Sequence, residues 1–217
     1  MFTKYGYATL GILSAFTLVC ILLSFIIENS FFKSLLIIIP VAFLIFTFYF
    51  FRDPDRTFSQ NDKVVVSPAD GKVLCIKEVE DNKYINGKAK QVSIFMSPLN
   101  VHVNRIPVSG KLEYLQYYKG KYIAAFQDKA SEKNERAEFG ILSKYGKVFF
   151  TQVAGFIARR IIYEIKEGDS VNIGERFGMI KFGSRVDVAV PHNWNEKIKA
   201  GDHVTGGESI LFEYTDL

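Results

Sequence analysis

Gly168-Asp169-Ser170-Val171-Asn172-Ile173-Gly174-Glu175 returns 33 positions later as Gly201-Asp202-His203-Val204-Thr205-Gly206-Gly207-Glu208. A Gly-Asp turn, a valine and a Gly-Glu turn recur in the same order, the mark of a duplicated supersecondary unit. Glycine permits the positive φ that tight β turns demand, so both copies read as hairpin punctuation rather than helix. Two copies are too few for a solenoid. The expected fold class is mainly β, with the segment around Ser184 on a strand between the two turn motifs.

The rest of the chain after residue 63 agrees with this reading. The segments 64–66, 72–79, 91–96, 110–118, 141–143 and 147–153 have strand-like composition and are separated by glycine. Residues 125–138 are polar with no sustained apolar face and read as a surface loop. Helix is expected only briefly, around 98–101 and 155–162. The turn punctuation resembles that of lipoyl and biotinyl domains, which implies a duplicated β-barrel sandwich of that kind.

The first fifty residues are different. Residues 8–27 are uncharged and long enough to cross a hydrocarbon core as a helix, and a second apolar stretch, 34–51, follows a short polar gap. The expected organisation is a membrane anchor over 1–51 and a β domain over 52–217. Lys4, Arg52, Arg56 and Lys63 flank the hairpin, against the single Lys33 in its turn. The positive-inside rule then places the domain on the cytoplasmic side of the cell (inner) membrane. No small-residue cleavage site follows the first segment, which argues against a removable signal peptide. A hairpin lying in one leaflet is the competing reading, because the second segment contains Pro40.

Composition narrows the function. About 165 residues remain after the anchor, enough for one domain with its own core. The formal charge of +4 suits an anionic lipid surface but is too small and dispersed for a nucleic-acid partner. Cys20 and Cys75 lie in unlike settings and imply no disulfide. Cys75, His102, His192 and His203 show no ligand spacing, so no metal site is expected. His192 and His203 fall in polar turns and read as solvent-facing.

Within the run Phe177-Gly178-Met179-Ile180-Lys181-Phe182-Gly183-Ser184-Arg185-Val186-Asp187, the Gly183-Ser184 pair sets a hydroxyl beside an unhindered carbonyl. That geometry suits a backbone N→O acyl shift. β-Elimination of the resulting ester would convert Ser184 to a pyruvoyl group. The plain alternative is an ordinary turn.

Four more segments accompany that pair: Phe51-Arg52-Asp53-Pro54, Ser67-Pro68-Ala69-Asp70-Gly71-Lys72-Val73, Phe95-Met96-Ser97-Pro98-Leu99-Asn100-Val101-His102-Val103-Asn104-Arg105-Ile106-Pro107, and Gln152-Val153-Ala154-Gly155-Phe156-Ile157-Ala158-Arg159-Arg160. In this order the set resembles the phosphatidylserine decarboxylases, in particular their short branch. The resemblance implies a proenzyme that cuts itself between Gly183 and Ser184, giving a β chain of 1–183 and an α chain of 184–217 that remain together as a heterodimer. Longer relatives carry a second histidine where this chain has Arg105.

Self-cleavage needs a nucleophile, a base and a group to orient that base. Ser184 is the nucleophile, and His102 is the base, because a neutral imidazole accepts a proton near neutral pH. Asp70 is the expected orienter, a role the resemblance also gives it. The plain alternatives are a turn cap, a satisfied core histidine and an Asx turn. The pyruvoyl group from Ser184 would form a Schiff base with the headgroup amine of phosphatidylserine in the bilayer, and carbon dioxide would leave. Arg159 and Arg160 are candidates for the lipid phosphate, with Arg105 and Arg185 behind them. Two other readings stand: another serine-headgroup lipid such as archaetidylserine as substrate, and a non-catalytic, membrane-tethered lipoyl-like module. A higher oligomer is left open.

Overall fold

The computed structural model describes residues 1–120, 134–155, 160–181 and 184–215. It divides into two compact units, Met1–Asp55 and Arg56–Leu217.

The first unit is a helical hairpin of α1 (Tyr7–Ser24) and α2 (Ser30–Phe50). α1 ends three residues earlier than the apolar run suggests, because the chain must turn before Asn29. The Asn29 side chain caps α2 by accepting from the amides of Phe31 at 3.0 Å and Phe32 at 3.3 Å. Hydroxyls within the apolar helices bond back to their own helix, Ser24 to the Ile21 carbonyl at 2.6 Å and Thr47 to that of Phe43 at 2.8 Å. Phe16, Leu22, Ile38, Phe43 and Ile45 lie exposed. Both helices are long and apolar enough to cross a membrane.

The second unit is built from strands β1 (Val64–Val66), β2 (Gly71–Asp81), β3 (Gly87–Met96), β4 (Val103–Arg105), β5 (Gly110–Tyr118), β6 (Arg136–Ser143), β7 (Gly146–Ala154), β8 (Ile161–Tyr163), β9 (Ser170–Val171), β10 (Arg176–Ile180), β11 (Ser184–Pro191), β12 (Trp194–Glu196), β13 (His203–Val204) and β14 (Ile210–Tyr214). A curled eight-stranded sheet, a half-barrel, has the order β13-β2-β3-β11-β7-β6-β5-β9. Two three-stranded sheets, β1-β14-β12 and β4-β10-β8, complete the unit. All pairings are antiparallel.

The strand orders read alike from both ends, and the hydrogen bonds repeat. Val66 N–H donates to the Pro107 carbonyl, and Arg105 N–H to that of Pro68, each at 2.9 Å. β2 carries a bulge between Val73 and Cys75, matched in β5 between Leu112 and Tyr114. The turn glycines share their backbone angles, φ +96° at Gly168 and Gly201 and +81° at Gly174 and Gly207. The duplication seen in the sequence therefore reaches well beyond its eight-residue motif. β4 to β10 form one half, and β1 to β3 with β11 to β14 form the other, so the β4–β10 half is inserted between β3 and β11.

Between the sheets, Phe139, Phe150 and Phe177 are fully buried, with Phe139 and Phe150 stacked at 5.0 Å between centroids. Removing each such ring from water is worth about 1.5–3 kcal/mol, which lets this unit hold a core of its own. Three local expectations change. Residues 136–138 belong to β6 rather than to a surface loop, since Ala137 is buried between β5 and β7. Residues 161–162 belong to β8, where pairing with β10 overrides any helical tendency. The segment 98–101 is a turn instead of a helix. Asn134 and Glu135 are buried as well, and residues 125–133 of the expected loop and 156–159 of the expected helix lie outside the described residues.

Candidate active site

Ser184 is the first residue of β11, paired with Met96 of β3 on one side and Ala154 of β7 on the other. Its side chain is fully buried, and its hydroxyl donates to the Met96 thioether sulfur at 3.2 Å. Sulfur is a weak acceptor, so this contact holds the hydroxyl loosely. The position follows from the duplication. The equivalent ends of β6 and β7 are joined by a tight turn at Ser143–Gly146, whereas β3 and β11 are separated by the whole inserted half. Gly183 lies outside the described residues.

His102 is also fully buried, just before β4. It leaves a turn in which the Ser97 and Asn100 amides bond to the Asn100 side chain and the Ser97 carbonyl, each at 2.9 Å. That turn aims the Asn100 carbonyl at His102 Nδ1, 2.9 Å away. A carbonyl only accepts, so the proton in this contact sits on Nδ1 and Nε2 is the basic nitrogen.

Asp70 is placed differently from expectation. Its Oδ1 accepts the Gly206 amide at 2.7 Å, and its Oδ2 accepts from the Arg56 guanidinium at 2.9 Å. The expected bond to His102 is not formed, and the orienting contact comes from Asn100. The reason is local: Asn100 precedes His102 by two residues, while Asp70 caps a turn that faces the Gly206 turn.

A buried amide pair joins these elements. Gln152 Nε2 donates to Asn104 Oδ1 at 2.8 Å, and Asn104 Nδ2 donates to the Pro68 carbonyl at 3.3 Å, with the Met96 sulfur 3.8 Å away. Asn104 and Gln152 are both fully buried. The structure thus links the Pro68–Asp70 turn, β4 and β7 to the sulfur that receives the Ser184 hydroxyl. Both residues stand inside motifs visible in the sequence. Their role was not legible, because a buried amide is identified only by its partners.

The arginines separate. Arg105 is buried and donates to the Gly174 carbonyl at 2.9 Å, tying β4 to a repeat turn. Arg185 is buried in an ion pair with Asp187, its Nε 3.0 Å from Oδ1. Arg160 is exposed and lines a cavity of about 830 Å³ with Tyr117, Lys119, Glu135 and Tyr163. Its carbonyl accepts the Lys181 amide at 3.3 Å. Burial, with the nearby Arg160 charge, pushes the Lys181 ammonium below the ordinary lysine range. Lys181, three residues before Ser184, was not singled out in the sequence because a lone lysine carries no pattern. Arg159 lies outside the described residues. His192 and His203 are both exposed.

A deeply buried serine hydroxyl and a buried basic imidazole, in a β unit that follows an apolar hairpin, are parts suited to an enzyme that works on its own chain. The phosphatidylserine decarboxylase family model matches residues 43–212. The chain is 48% identical over 217 residues to the phosphatidylserine decarboxylase proenzyme of Chlorobium limicola, covering 99% of this chain and all of that protein. It is 48% identical over 176 residues to the proenzyme of the same name from Salinibacter ruber, covering 80% of this chain and 78% of that one. It is also 48% identical over 164 residues to that of Amoebophilus asiaticus, with coverage of 75% and 73%. This chain belongs to the phosphatidylserine decarboxylase family.

Proposed function

We propose that this protein decarboxylates phosphatidylserine to phosphatidylethanolamine in phospholipid biosynthesis, after cutting itself between Gly183 and Ser184. Family membership supports the substrate class. The observation that carries the self-processing step is the full burial of Ser184 with its hydroxyl donated, among the described residues, to a thioether.

In this reading His102 Nε2 takes the Ser184 hydroxyl proton, and Oγ attacks the Gly183 carbonyl carbon. The C–N bond breaks, the nitrogen receives a proton, and the peptide becomes an ester. Removal of the Ser184 α-proton expels the Gly183 carboxylate. Addition of water and loss of ammonia then leave a pyruvoyl end on residue 184. The buried surroundings of Ser184 fit such a group, because they keep bulk water from a reactive carbonyl. When formed, that carbonyl supplies an acceptor for the electron pair released with carbon dioxide.

The chain's own groups do the rest. His102 holds and returns a proton. Asp70 contributes its charge from the turn beside Asn104. Arg160, which lines the cavity, offers a cation to the lipid phosphate, with Lys181 close to it. After cleavage the 184–217 chain stays bound, because β11 lies between β3 and β7, β13 pairs with β2, and β14 lies between β1 and β12. The apolar hairpin spans the cell membrane, with the β domain on the cytoplasmic side. The test is carbon dioxide release from phosphatidylserine in detergent micelles. The expected result is turnover by the wild type and none by Ser184→Ala. Turnover confined to an ether-linked serine lipid would transfer the reading to that substrate.

A further inference from the structure

The two halves of the β unit provide an internal control for the turn that carries Asp70. Asp70 precedes Gly71-Lys72 as Ser109 precedes Gly110-Lys111, and Pro68 and Pro107 exchange equivalent backbone bonds. The two side chains perform the same structural task. Asp70 Oδ1 accepts the Gly206 amide at 2.7 Å, and Ser109 Oγ accepts the Ile173 amide, its equivalent, at 2.9 Å. A single hydroxyl therefore satisfies this turn in one half. The second oxygen of Asp70 is surplus to that need.

That oxygen belongs to Arg56. The Arg56 guanidinium lies 2.9 Å from Asp70 Oδ2 and 3.5 Å from Glu208 Oε2, with side-chain exposures of 15% for Arg56 and 17% for Asp70. Glu208 marks the second departure from symmetry. Its counterpart Glu175 closes on its own turn, accepting from the Asn172 amide at 3.0 Å and from the Asn172 side chain at 2.7 Å. In the other half Ser209 takes the amide task, accepting from Thr205 N–H at 2.9 Å. Glu208 instead accepts the Thr57 amide at 3.1 Å. Just beyond, Phe58 packs against Ile173 and over Gly174, where a Cβ would come within 2.4 Å of its ring. These two divergent turn positions, Asp70 and Glu208, face one guanidinium, on the segment with which the β unit begins.

We propose that Arg56 is the positioning residue for Asp70. The strap formed by Arg56, Thr57 and Phe58 clamps the entry of the β unit and fixes the carboxylate through its second oxygen. A charge-assisted pair at this partial burial is stronger than a neutral bond and geometrically restrictive. The inference rests on the reading that Asp70 serves self-cleavage.

The experiment follows conversion of freshly synthesised full-length protein into two chains, with thermal melting in parallel. The proteins are wild type, Arg56→Gln, Arg56→Lys, Asp70→Asn and the Arg56→Gln/Asp70→Asn double variant. Arg56→Gln should cleave about tenfold more slowly, the equivalent of one charge-assisted hydrogen bond in the cleavage step. Arg56→Lys should recover part of that loss. The double variant should be no slower than Asp70→Asn, because the arginine acts through the carboxylate. A wild-type rate for Arg56→Gln beside a slow Asp70→Asn overturns the inference and leaves the role of Asp70 standing. Multiplying losses in the double variant, or a rate loss tracking only the fall in melting temperature, also overturns it. A wild-type rate for Asp70→Asn removes both roles, and a continued block in Ser184→Ala would then keep the decarboxylase reading intact.

Discussion

In the proposed reading Ser184 and His102 carry the proton transfer, while Asn104 ties the Pro68 turn to Gln152 of β7. The Asn100 carbonyl fixes the imidazole tautomer with Nε2 basic, and His102→Ala should slow self-cleavage by about a hundredfold or more, by removing the proposed general base. The measure is the half-time for appearance of the short chain. Asn104→Leu is the complementary change. It strands the Gln152 amide inside the core, while the Pro68 carbonyl keeps the Arg105 N–H, and should cost about 1–3 kcal/mol in denaturant unfolding. An unchanged unfolding midpoint would show that the buried amide pair adds nothing net. From residue type and spacing alone Ser184, His102 and Asp70 also read as a turn cap, a core histidine and an Asx turn; through the resemblance of the ordered motifs their roles could be read in the sequence. That Asp70 bonds to Arg56 and Gly206 could not, since Arg56 registers in the sequence only as a charge beside an apolar segment.

At the level of elements, the glycine turns carry the duplication and should be its sensitive points. Gly207 has φ +81°, and a Cβ there would meet Arg105 Cδ at 2.8 Å, so Gly207→Ala combines backbone strain with a clash. Gly201, at φ +96°, has open space where its Cβ would be. Gly207→Ala should therefore lower stability by about 2–3 kcal/mol and Gly201→Ala by about 1 kcal/mol, read from unfolding curves. Equal losses would mean that the Arg105 packing is not restrictive. The sequence disclosed the repeat only where glycines and acidic residues made it conspicuous. The matching of β1–β3 to β4–β6 was hidden, because strands conserve pairing and burial rather than residue identity. Likewise 136–138 reads as polar, since Glu138 is buried as a charge paired with Arg136, 2.9 Å away, beside the buried Ala137.

For the whole molecule, the β unit carries the core and every described residue assigned to the chemistry, while the first unit is an apolar hairpin. Deleting residues 1–50 should leave self-cleavage intact and preserve turnover of a short-chain, dispersed substrate. Turnover of bilayer lipid should fall sharply, because tethering raises the local concentration of headgroups. Equal activity on vesicles with and without the hairpin would assign membrane engagement to the β unit's own surface. The hairpin was legible from its length of apolar sequence, as such segments are. The nesting of one half of the β unit inside the other was not, because it follows from strand pairing across long stretches of chain. The central claim is that Ser184 turns this chain into two. Intact mass of the purified full-length protein tests it most directly. The predicted result is a chain of residues 1–183 and a chain of 184–217 whose first residue has the mass of a pyruvoyl group, with Ser184→Ala remaining whole. A single uncut chain in fully active enzyme would contradict the account.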